Sequence, residues 1–165
     1  MWIDDDARLG GVGEGNAWSL GFLTWARIPF AALAVGLSQG CVEETLAFVK
    51  SRKTFGRPLA ANQAVSFALA DMAALTASAR VTTFDAAWKR DQGLRIDDEA
   101  AICKLVASEI ANKVAYRGTQ LHGGYGFVED SAVARHYRDA RILTIGEGTS
   151  EVQRMILARR LGLEV

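Results

Sequence analysis

The 165-residue chain has the size of one domain and is long enough to bury a hydrophobic core. Half of it is apolar and 23% is charged, which excludes disorder as the main state. Nineteen basic and nineteen acidic residues cancel, which excludes a long-range field toward nucleic acid.

No window approaches the roughly 18 uncharged apolar residues of a membrane span, so no membrane partner is expected. The acidic start Met1-Trp2-Ile3-Asp4-Asp5-Asp6 is unlike a signal peptide. Cys41 and Cys103 lie far apart in apolar runs. They argue against a disulfide framework and for a reducing, cytoplasmic setting. His122 and His136 stand without a cysteine or acidic cluster beside them, so no metal site is expected.

Two prolines and abundant alanine favour long helices. Residues 1–15 read as a polar, glycine-rich lead, and 16–165 as one helical domain. The first helix is expected from Asn16, a capping residue type, to about Val49. Pro29 within it predicts a kink or a restart. Beyond Pro29 the stripe Phe30, Leu33, Leu37, Cys41 and Phe48 follows helical spacing. Ser51 to Pro58 reads as a loop. A second helix is predicted from Asn62 to Arg90, with Val65, Leu69, Met72 and Ala79 inward and Gly93 ending it. Asp97 and Asp98 open a third, where acids favour the helix dipole. Its stripe is Ile102, Val106, Ile110 and Val114, and it ends near Leu121. Shorter helices follow over 131–140 and 149–161, the last with Val152, Ile156 and Arg159 on one side. Three long and two short helices with brief connections predict an all-α, antiparallel four-helix-type bundle. Each stripe by itself means core packing.

Three loops carry chemistry. Arg52-Lys53-Thr54-Phe55-Gly56-Arg57-Pro58 sets an arginine, an aromatic ring and a glycine at a helix end. Arginine grips phosphate through parallel charged hydrogen bonds. The plain alternative is a helix C-terminus whose cations favour the dipole. In Gln120-Leu121-His122-Gly123-Gly124-Tyr125-Gly126-Phe127 the glycines permit close approach to a ligand, and Gln120 both donates and accepts. Its alternative is a helix cap followed by a turn, with His122 a structural histidine. In Ile145-Gly146-Glu147-Gly148-Thr149-Ser150-Glu151 a carboxylate stands between two glycines just before a helix. The glycines are expected to clear space for a substrate beside Glu147. Thr149 or Ser150 is placed to cap the helix, whose free N–H groups suit an anionic or carbonyl oxygen. The alternative is an exposed acid favoured by the dipole.

Together, in this order and at this spacing, the three segments resemble the C-terminal helical domain of the acyl-CoA dehydrogenase family, from about Gly10 to Leu161. The resemblance implies a flavoenzyme that desaturates acyl-CoA thioesters between the α and β carbons. Glu147 matches the catalytic base of the main branch. Ala26 matches the position where other members carry the base, and it cannot take a proton. Arg27 matches an arginine of the acyl-CoA site, and Gly148 would border the acyl-CoA. Thr24 stands where better-known members carry aspartate. By the same resemblance Arg52, Phe55, Gln63, Gln120 and Gly124 would contact FAD bound mainly by a neighbouring subunit. Thr149, Ser150 and Glu151 would meet FAD at the helix start. The resemblance further implies a homodimer or homotetramer, and an electron acceptor such as an electron-transfer flavoprotein.

Family members also carry an N-terminal helical domain and a middle β-domain. Residues 1–15 resemble the tail of that middle domain, so a fragment or truncated relative is expected. The competing readings are a non-catalytic helical assembly module derived from this fold, and an acyl-CoA oxidase or flavin monooxygenase relative.

Overall fold

A computed structural model of the chain describes residues 2–165. Five helices are arranged as a bundle: α1 (Gly15–Ser51), α2 (Gln63–Asp91), α3 (Asp97–His122), α4 (Ala132–Leu143) and α5 (Ser150–Arg160). The expected all-α bundle is therefore the fold. Short connections make α1, α2 and α3 antiparallel neighbours. Helix α3 is central and packs against all four others, with α4 also touching α1.

Small residues set the spacing of the core. Ala31, Ala34, Ala79, Ala86, Ala100, Ala107 and Ala111 are buried with Ile28, Cys103 and Leu143 in one cluster, and Cys41, Met72, Val114 and Val133 form a second. Each alanine methyl contributes only about 0.8 kcal/mol by burial, so the bundle depends on many close contacts. At the α1–α3 crossing a Cβ on Gly118 would lie 2.4 Å from the Cys41 Sγ. Hydroxyls buried at this interface are satisfied within their own helices. Ser38 donates to the Ala34 carbonyl at 2.8 Å and Thr45 to Cys41 at 2.6 Å, and on α2 the buried Thr76 likewise donates to Met72 at 2.8 Å.

Several expectations are corrected. Helix α1 passes through Pro29 as one element, and Asn16 lies inside it rather than capping it. Pro29 is on the exposed face, where the carbonyl it deprives of a partner can reach water. Leu33 and Ile102 are 58% and 40% exposed. The α3 stripe is only partly right: Val114 is buried and Ile110 packs against the core, but Ile102 is off the inner face, which is carried by Ala100, Cys103, Ala107, Ala111, Val114 and Gly118. On α5, Val152 and Arg159 face outward while Gln153 is buried. The loop at 51–58 contains a hairpin, β1 (Lys53–Thr54) paired antiparallel with β2 (Arg57–Pro58). Helices α1 and α2 also meet the length and composition of a membrane span, with best-window mean hydropathies of 1.6 and 1.3.

Candidate functional site

The predicted residues gather in two places. The first surrounds Glu147, in the turn between α4 and α5. This turn is anchored by Gly146 N–H donating to the Ile142 carbonyl at 2.8 Å and Ser150 N–H to Thr144 at 3.1 Å. Glu147 has a φ of 55° and Gly148 a φ of 87°. Glycine takes that conformation freely, but glutamate does so at a cost of order 1–3 kcal/mol. The half-buried Glu147 carboxyl has an Oε2 that is buried and without a protein partner.

Three groups from three helices converge beneath this turn. Lys104 of α3, wholly buried, donates from Nζ to the Gly148 carbonyl at 2.6 Å. Gln153 of α5 donates from Nε2 to the same carbonyl at 2.9 Å and to the Glu147 carbonyl at 3.1 Å. Arg27 of α1 is 9% exposed, with its Nε buried and unpartnered. Burial lowers the Arg27 guanidinium from its ordinary range, against the opposing pull of Asp97, Glu147 and Cys103. The structure therefore brings Arg27, Glu147 and Gly148 together as expected. Neither cation forms an ion pair with Glu147 among the described residues.

The expected role of the glycines is corrected here. A Cβ on Gly146 would lie 2.8 Å from the Phe30 Cζ, and one on Gly148 would lie 2.8 Å from the Gln153 Nε2. The space they clear is filled by the protein's own side chains. Thr149 is the N-cap of α5 and accepts from Val152 N–H at 3.4 Å. The Glu151 carboxyl lies below its usual range because it accepts from its own backbone N–H and from Thr149. Donors at this helix start are thus partly used internally. The Ser150 Oγ is buried without a partner. Thr149, Ser150 and Glu151 line a depression of about 390 Å³ with Glu109, Asn112 and Arg141.

The second place is the opposite end of α3. Arg52, Gln120 and Gly124 line a basin of about 470 Å³ together with Phe48, Leu59 and Tyr125. The Arg52 guanidinium lies 5.4 Å from the Tyr125 ring centroid. Its backbone N–H donates to Phe48 O at 2.8 Å, closing α1, and its carbonyl accepts from Leu59 at 2.7 Å. The backbone of Arg52 thus closes the helix while its side chain lines the basin. His122 stacks on Phe48 with centroids 4.2 Å apart, and its Nδ1 donates to Gly118 O at 2.8 Å, a structural role. Phe55 and Gly56 form the hairpin tip with φ of 51° and 81°, and the Phe55 ring is fully exposed. Gln63 is exposed at the first residue of α2. Neither Phe55 nor Gln63 lines the basin.

Lys104 and Gln120, one at each place, are separated by about 24 Å along α3 at its helical rise. The sequence did not point to Lys104 or Gln153, and Phe30 stood out only as a packing residue. A lysine between apolar neighbours, on the alanine-bearing face of α3, was the signal available.

Residues 13–162 match the family model described as acyl-CoA dehydrogenase, C-terminal domain. A probable acyl-CoA dehydrogenase of Bacillus subtilis, YngJ, is 44% identical over 93% of this chain and 40% of its own length. The structure of butyryl-CoA dehydrogenase from Megasphaera elsdenii superposes with a TM-score of 0.94 at 39% identity, over 96% of this chain and 42% of that one. A structure of PigA with FAD and proline has a TM-score of 0.93 at 32% identity, over 99% of this chain and 43% of its own. The chain thus spans about two fifths of the length of these proteins.

Proposed function

The chain belongs to the acyl-CoA dehydrogenase family, and we propose that it supplies the proton acceptor for α,β-dehydrogenation of an acyl-CoA thioester. One observation carries this reading. The Glu147 carboxyl is held in a left-handed turn between two glycines, with an oxygen that no protein group occupies.

An α-proton beside a thioester is a poor acid, so its removal needs a base fixed close to it. Glu147 takes that proton on its carboxylate. Arg27, buried near the turn and short of a partner at Nε, borders the acyl-CoA and keeps positive charge near the reacting carboxylate. Thioester binding excludes water from the half-buried turn, which strengthens these charge interactions.

FAD fits the residues present. Ser150 offers a buried, unsatisfied hydroxyl at the start of α5, beside Thr149 and Glu151. The Arg52 basin offers a guanidinium, an aromatic face and glycine backbone. When bound, FAD would supply the two-electron acceptor for the β-hydride, which would balance the proton that Glu147 takes. Thr149 to Glu151 would hold one flavin, and Arg52, Phe55, Gln63, Gln120 and Gly124 would contact a second held by a neighbouring copy. The separation of the two groups along α3 supports that division.

A homodimer or homotetramer belongs to the same proposal. The exposed ring of Phe55 and the outward Phe67, Val81, Phe84 and Trp88 of α2 offer apolar surface for it. An electron-transfer flavoprotein is the acceptor that the family resemblance implies. A reducing cytoplasm suits the two buried free thiols.

Glu147→Gln in the flavin-loaded holoenzyme tests the central reading. It keeps shape and removes proton affinity. The expected result is normal acyl-CoA binding with flavin reduction slowed about a hundredfold or more in stopped-flow absorbance. Reduction at the unsubstituted rate would remove the base from this turn.

A further inference from the structure

Lys104 has no part in the chemistry above, yet among the described residues it is the largest side chain that is fully buried. A buried ammonium is costly unless something needs it there. Among the described residues its single hydrogen-bond acceptor is the Gly148 carbonyl, at 2.6 Å. The Phe30 ring, with its centroid 6.0 Å away, lies at the limit of a cation–π contact. Lys104 thus spends its charge on one backbone oxygen, and that oxygen follows the residue with the strained φ.

We propose that Lys104 is a positioning residue for Glu147. Its ammonium, inserted from α3, pins the Gly148 carbonyl and, with Gln153, locks the left-handed pair Glu147–Gly148 so that the glutamate carboxyl stays free of protein donors. The proposal rests on the reading of Glu147 as the proton acceptor.

The geometry explains why three bonds are used. Glu147 relaxes from its left-handed conformation if the peptide after it can rotate. Gln153 holds the Glu147 carbonyl and shares the Gly148 carbonyl with Lys104, so both acceptors after Glu147 are pulled inward. Peptide planarity then turns the Gly148 N–H away from that side. A neutral donor could make the same hydrogen bond. A cation makes it stronger, and its field also reaches Glu147. The groups facing Lys104 are Arg27 from α1, Glu109 on α3, Glu147 in the turn and Glu151 on α5. Burial and then Arg27 lower the ammonium from the usual lysine range, against the three carboxylates. The pin therefore loses its charge, and the extra strength that charge gives the bond, at a lower pH than an exposed lysine would lose its proton.

The experiment uses the 165-residue chain with isotope labels at the lysine, glycine and serine residues. In the unsubstituted chain, the Gly148 carbonyl carbon resonance is expected to move together with titration of the Lys104 amine, below the ordinary lysine range. In Lys104→Met, Ser150 N–H, which bonds to Thr144 within the same turn, is expected to exchange at least about tenfold faster, while amides inside α1 and α3 stay protected. A Gly148 resonance indifferent to Lys104, or unchanged Ser150 exchange in a folded Lys104→Met chain, would overturn the proposal. If Lys104→Met does not fold, the titration of the unsubstituted chain decides alone. Glu147→Gln leaves both reporters in place, so failure of the base reading is seen separately, as unimpaired flavin reduction.

Discussion

The Phe30 ring of α1 occupies the space that a side chain at Gly146 would need, with its Cζ 2.8 Å from where that Cβ would stand. This contact ties the first helix to the turn that carries Glu147. Gly146→Ala is expected to destabilise the chain by about 1–3 kcal/mol through overpacking. Adding Phe30→Leu should recover part of that loss. Denaturant unfolding of the single and double variants checks it, and strictly additive effects would mean the two positions do not meet.

Phe55 combines a left-handed backbone with a fully exposed ring. Asparagine suits that conformation far better. Phe55→Asn is expected to raise stability by up to about 1 kcal/mol. In the holoenzyme it should loosen flavin or subunit association, because the ring is lost. Thermal unfolding and flavin content after gel filtration give the two readouts. Loss of stability would show that the ring supports its own domain.

Arg52 closes α1 with backbone atoms only, and its guanidinium, beside the Tyr125 ring, makes no hydrogen bond among the described residues. Arg52→Ala should leave the fold intact and weaken FAD retention in the holoenzyme roughly ten- to a hundredfold. That is the effect of losing one charge-assisted bond of about 1.5–3 kcal/mol. Equal flavin content after dialysis would remove Arg52 from the cofactor's contacts.

Burial pushes the Cys103 thiol up from 9.0 to about 12. Between these values the folded chain keeps a proton that the unfolded chain has lost. Stability contributed by this group is therefore complete below about pH 9.0 and falls as pH rises. The decline is at most about 1.4 kcal/mol per pH unit. Lys104, lowered by burial, works in the opposite direction, so the comparison must isolate the thiol. The unfolding free energy of the unsubstituted chain minus that of Cys103→Ala should fall with pH across this window. A flat difference would contradict a buried, neutral thiol.

The helices were legible because alanine, scarce proline and glycine punctuation act locally. Their inward faces were less so. Leu33 and Ile102 look like core residues by size, but helices this close favour small residues such as alanine, cysteine, serine, threonine and glycine at the seam. The choice between Ile102 and Cys103 is a tertiary matter. Glu147 stood out because glycine on both sides is a local signature. Lys104 did not, since a lone lysine in a helix is ordinarily a solvated one. Its partner carbonyl lies forty-four residues away in the chain. Proline tolerance in α1 was equally hidden, because it depends on which face of the bundle Pro29 meets.

Helix α3 bears Lys104 near one end and Gln120 near the other, with no break between them. It therefore fixes the azimuth of the two places as well as their spacing. Inserting or deleting one residue between 105 and 119 would turn one end against the other by about 100°. The bundle could absorb that by sliding its small-residue seam, yet Glu147 and the Arg52 basin would then face different directions. A one-residue insertion over 92–96, before the helix begins, would leave their mutual bearing untouched. Length changes are thus forbidden inside this rod and harmless just outside it, for reasons of phase.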